Sequence, residues 1–199
     1  MNVILSIIGT GCAASVGGFL LADRLKKQKQ LKREVFNALS FPILPKSIEL
    51  KQNYGFYERD LYIIKSHRKK ESTKVEDACL LANQIYKLIQ ENLSLVSGEV
   101  LENFYEAKGI EIGLREMQQD PESLKNPYVL NQAVYSLKKS KLKLVAVFMV
   151  DLQKTAQKAG VLTGTLKELF DFYPVFIDHL IENELIAVDA TPAVVEQHT

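Results

Sequence analysis

The sequence predicts a mainly α-helical protein: a single N-terminal transmembrane helix followed by an α-helical soluble domain, with an α+β domain as the variant. Three observations carry this expectation. No charged side chain occurs from Met1 to Ala22, six basic residues follow within ten positions, and beyond Thr73 apolar residues recur at three- and four-residue steps. With 47% hydrophobic and 25% charged residues, the 199-residue chain can build one domain with a real core. A formal charge of +1 gives no general signal for nucleic acid, so the partner classes must be read from local patterns.

The stretch Val3 to Ala22 has the length of a membrane span, since about 20 apolar residues at about 1.5 Å each cross a hydrocarbon core of about 30 Å. Its charges come after the apolar run, unlike those of a cleaved signal peptide. Cys12 lacks the aliphatic residue three positions earlier that an acylated lipoprotein cysteine would have, because Gly9 stands there. Arg24, Lys26, Lys27, Lys29, Lys32 and Arg33 form a basic flank that acts as a stop-transfer signal or meets anionic lipid. That asymmetry places the N-terminus outside and the C-terminal domain in the cytoplasm.

Within the span, Gly9, Ala13 and Gly17 share one helical ridge, and Thr10, Ala14 and Gly18 share the adjacent one. Small residues let helix backbones approach, which suits packing against another transmembrane protein or a second copy of the chain. The same residues also resemble a dinucleotide-binding fingerprint of Rossmann type, with Gly9, Gly11 and Ala14 in G-x-G-x-x-A after Val3 to Ile8. That resemblance implies an NAD(P)-binding enzyme. Against it, Lys26 to Arg33 is a charged, helix-forming run where a second core strand and a terminal acidic residue should stand.

The segments expected are an anchor over residues 1–23, a basic helix and Pro-containing hinge over 24–47, a mostly helical domain over 48–190 and a flexible tail over 191–199. Pro42 and Pro45 stop a helix arriving from the N-terminus. Ser47 to Gln52 and Tyr57 to Ser66, flanking Asn53-Tyr54-Gly55, suit a β-hairpin, with helix the rival for Tyr57 to Lys70. Thr73 to Glu76 makes a capping box. After it, Val75, Ala78, Cys79, Ala82, Ile85, Tyr86, Ile89 and Leu93 form an apolar helix face that Leu81 and Leu88 widen, and Cys79 reads as core packing.

Two shorter helices are expected over Gly98 to Lys108 and Ile110 to Gln119, parted near Gly109, with Asp120-Pro121 as a stop. Asn126-Pro127 opens a long helix with Leu144, Phe148, Leu152, Thr155 and Ala159 on its apolar face, although Leu142 to Val150 alone would pass for a strand. Gly160 is its C-cap. Thr165 to Phe170, Asp171 to Pro174 and Val175 to Ile186 resemble the helix-turn-helix half of a winged-helix regulator. Asp178, Glu182 and Glu184 on the second helix are wrong for phosphates and base edges and favour a protein partner.

No catalytic, cofactor or metal site is expected. His67, His179 and His198 lie in no metal-ligand spacing, and Cys12 and Cys79 are placed wrongly for an intramolecular disulfide. Glu99, Glu102 and Glu106 share a helix face that reads as a solvated acidic stripe. The functional expectation is a membrane-anchored helical adaptor or accessory subunit of a membrane protein complex. An NAD(P)-binding enzyme and a membrane-tethered winged-helix regulator are the alternatives.

Overall fold

Helix α6, Pro127–Ala159, is the spine against which α3, α4 and α7 pack. The computed structural model of the chain describes residues 22–54 and 71–184, and it is mainly helical, with no strand among those residues. In chain order the elements are α1 (residues 22–40), α2 (Leu44–Tyr54), α3 (Glu71–Glu91), α4 (Gly98–Gln119), a short α5 (Pro121–Leu124), α6 and α7 (Gly164–His179). A 3₁₀ turn, Leu93–Leu95, precedes α4, and a π turn, Leu180–Glu184, follows α7.

The ends of α6 are set by local chemistry. Pro127 occupies the first turn, where its missing N–H costs nothing, and Gly160 terminates the helix at φ 68°. Between them Leu144, Val145, Phe148, Met149, Leu152 and Ala156 point into one hydrophobic cluster with Ile85 and Ile89 of α3, Phe104 of α4 and Phe170 and Tyr173 of α7. The helical period expected for Leu144 to Ala159 is therefore the one observed, and the strand alternative over Leu142 to Val150 is absent. Ser97 and Thr163 cap α4 and α7, accepting from the Val100 and Leu166 amides at 3.4 and 3.3 Å.

Several local expectations are corrected. Ser47 to Gln52 belongs to helix α2, because Leu50 and Tyr54 fall one turn apart and both are buried; Tyr57 to Ser66 lies outside the described residues. Thr73 does not start a helix, since α3 is already formed at Glu71. Helix α4 runs through Gly109 without a break, carried by Phe104, Ala107 and Leu114 buried on either side. The turn expected at Asp171 to Pro174 is absent too: α7 continues through Pro174, with Tyr173, Phe176 and Ile177 all buried, so no helix-turn-helix exists there.

The single-pass placement, with an external N-terminus and a cytoplasmic domain, is also corrected. No helix among the described residues is long and apolar enough to cross a membrane. Val3 to Leu21 lies outside those residues; from residue 22 the described part of α1 carries Leu25 and Leu31 among six cations. Its basic run is built into the fold as well. Arg33 Nε donates to the Ala159 carbonyl at 3.2 Å, and a Cβ at Gly160 would lie 2.6 Å from Lys29 Cε. Both cations thus meet the C-terminus of α6, where unpaired carbonyls and the helix dipole favour positive charge.

Two core hydroxyls, Ser40 Oγ and Ser47 Oγ, are fully buried without a hydrogen-bond partner. A buried, unsatisfied polar group costs stability, and alanine has the higher helix propensity. Ser40→Ala and Ser47→Ala are each expected to stabilise the fold by about 1 kcal/mol, a rise that chemical denaturation would register as a higher midpoint at constant slope.

Candidate functional site: the groove between helices α3 and α6

The first turns of α6 lie at the edge of the buried core, with Tyr135 packed against it. Tyr128 is 70% exposed and Val129 39%, and the fully buried run begins only near Leu142. Where this part of α6 passes α3, Cys79, Ala82 and Asn83 face Val134, Leu137, Lys138 and Lys141 across a groove of about 200 Å³. The register explains the lining. Cys79, Ala82 and Asn83 fall at i, i+3 and i+4 on α3, while Val134, Leu137, Lys138 and Lys141 fall at i, i+3, i+4 and i+7 on α6.

The floor is apolar and the rim is cationic. Lys141 Nζ donates to Asn83 Oδ1 at 3.2 Å and sits 4.5 Å from the centre of the Tyr86 ring. The Tyr86 hydroxyl in turn donates to Glu111 Oε2 at 2.9 Å, and Arg115 pairs with the same carboxylate at 3.3 Å. Helices α3, α4 and α6 are therefore tied by one polar chain beside the groove. Burial, and then the Glu111 carboxylate, hold the Tyr86 phenol well above its ordinary range, so it stays protonated and donating.

Lys138 makes no ion pair among the described residues, while Lys139 and Lys143 fall on the side of α6 away from the groove. From Pro127 to Val150 the helix has no acidic residue at all. Lys138 and Lys141 are close enough to act on the Cys79 thiol: burial pushes it up, the two lysines pull it back in part, and Glu76 raises it again. A half-buried thiol in that state packs and does not attack. In a Cys12→Ser background, Cys79 is expected to alkylate more slowly at neutral pH than a free cysteine, and Lys138→Ala to slow it further. Iodoacetamide kinetics followed by mass spectrometry would show both changes.

The residues singled out from sequence are distributed differently. Gly9, Gly11, Ala13, Ala14, Gly17, Gly18 and Thr10, which carry both the packing ridges and the dinucleotide fingerprint, lie outside the described residues, as do His67 and His198. Arg24, Lys26, Lys27, Lys29, Lys32 and Arg33 are exposed along α1, where Lys27 pairs with Asp23 at 2.9 Å. Glu99, Glu102 and Glu106 are exposed on α4, with Glu99 3.5 Å from Lys154. Among the described residues, no three His, Cys, Asp or Glu side chains are grouped to hold a metal ion.

Cys79, which its period assigns to core packing, is half-buried against the hydrophobic cluster and also lines the groove. Val134, Leu137 and Lys138 were not singled out from sequence. The available signal was the apolar period on α6, which continues upstream through Leu137, Val134 and Leu130 beyond what one core can cover. The chain matches no protein-family model, and neither curated proteins nor solved structures show a significant similarity to it.

Proposed function

We propose that this chain is a helical adaptor or accessory subunit of a protein complex, engaging its partner through the groove between α3 and α6. The observation that supports this reading is the incompletely covered start of α6, which sets half-buried Val134 and Leu137 beside Cys79 of α3 in an open groove. Ordering apolar side chains in water contributes nothing to folding, whereas an apolar groove with a polar rim is the usual form of a helix-binding surface. At about 200 Å³ the groove is smaller than the roughly 300–1,000 Å³ of small-molecule sites, which favours a few anchoring side chains over a cofactor.

The test is recovery of the tagged full chain from its native cells, in parallel with Leu137→Asp. A stoichiometric partner held by the unaltered chain and lost from the variant supports the adaptor reading. Retention of the same partner by both forms, or recovery of the chain alone, overturns it. Circular dichroism and thermal unfolding of Leu137→Asp establish that the loss comes from the groove, since Leu137 lies outside the buried cluster.

A further inference from the structure

We infer that the groove's occupant is an acidic amphipathic helix of a partner protein, a conclusion that rests on the adaptor reading and adds the chemistry of the partner. The shape argues for a helix. The lining residues of α6 run from Val134 to Lys141, eight residues or about 10 Å of helix, and Leu130 continues the same face one turn further. A strip of that length between two helices takes side chains spaced at i, i+3 or i+4 and i+7 from a third.

Charge sets the sign of the partner. Lys138 and Lys141, one turn apart on α6, rim the groove. Lys141 is engaged by an amide oxygen and an aromatic face, both uncharged, so its positive charge is not neutralised by a carboxylate. On α3, Glu76 acts on Cys79 from the groove's end, while Asp77 is committed to Tyr54 at 3.0 Å and to Lys46 at 3.5 Å. An incoming helix bearing Asp or Glu beside its apolar stripe meets two lysines and one carboxylate. A basic helix would meet repulsion from both lysines.

The outer face of α1 was the main competing candidate for a docking surface. Its cations are partly spent on the C-terminus of α6 and on Asp23, and Leu25 and Leu31 are each 58% exposed there. Among the described residues, the groove between α3 and α6 combines an apolar floor with cations that no carboxylate pairs.

The probe is a displayed library of helical peptides with Leu fixed at i, i+3 and i+7 and the remaining positions randomised, selected against the full chain carrying Cys12→Ser. Enrichment of Asp and Glu beside the leucines, at least tenfold weaker binding to Lys138→Glu, and slower Cys79 alkylation in the complex support the inference. Winners that are neutral or basic, or a library without binders, overturn the acidic-helix assignment and leave the co-purification test to decide the adaptor reading. Acidic winners that bind Leu137→Asp as tightly and leave Cys79 equally reactive overturn the groove itself.

Discussion

Phe148→Ala is expected to lower the stability of the fold by about 3–5 kcal/mol, the largest effect of any single truncation considered. Phe148 is fully buried at the middle of α6, in the cluster shared by α3, α4 and α7. Removing its ring loses the transfer free energy of the aromatic surface and leaves a cavity that three neighbouring helices cannot all close upon. Because whole domains hold only about 5–15 kcal/mol, such a loss brings the chain close to unfolding at ambient temperature. Urea denaturation should show a much lower midpoint with an unchanged slope. A midpoint moved by less than a quarter of the expected loss would mean that α6 is not the spine of the core.

Tyr86→Ala is expected to be nearly as damaging, at about 3–4 kcal/mol, for a different set of reasons. The ring packs 4.9 Å from Phe104, carries Lys141 over its face and presents its hydroxyl to Glu111. Alanine removes all three contacts and leaves Glu111 with Arg115 as its remaining neighbour. Tyr86→Phe keeps the ring and deletes only the hydroxyl, and should cost about 1–2 kcal/mol, in the range of a hydrogen bond to a charged acceptor. The ratio between the two variants separates packing from polar coupling. If Tyr86→Phe proved as costly as Tyr86→Ala, the hydrogen bond would be the dominant link between α3 and α4.

Where the sequence was legible, the reason was a period with its punctuation intact. The α3 face from Ala78 to Ile89 and the α6 face from Leu144 to Ala159 repeat at helical spacing, and Pro127 and Gly160 mark the ends of α6 by backbone chemistry that no packing has to supply. Single breakers were read too strongly. Gly109 costs a helix about 1 kcal/mol, which the burial of Phe104, Ala107 and Leu114 exceeds, and Pro174 is overridden in the same way by Tyr173, Phe176 and Ile177. Asn53-Tyr54-Gly55 suggested a hairpin because turn residues were weighed without knowing that Tyr54 stacks on Phe176 at 5.9 Å.

The groove was less legible for a physical reason. Lys138 and Lys141 read on their own as part of an ordinary solvated face, and Cys79 as one more small residue packed on the core. Only the meeting of α3 with the incompletely covered part of α6 makes them the rim and floor of a single surface. The basic run on α1 has the same lesson in reverse. It is explained locally as a flank, while Arg33 and Lys29 find their acceptor at the end of a helix more than 120 residues away.

The central claim is that the partner seats between α3 and α6. Hydrogen–deuterium exchange of the isolated complex against the chain alone tests it most directly. Protection is expected in residues 75–86 of α3 and 128–141 of α6, with the exposed face of α4 unchanged. Protection confined to α1 or α4, with α3 and the start of α6 exchanging as in the free chain, would contradict it.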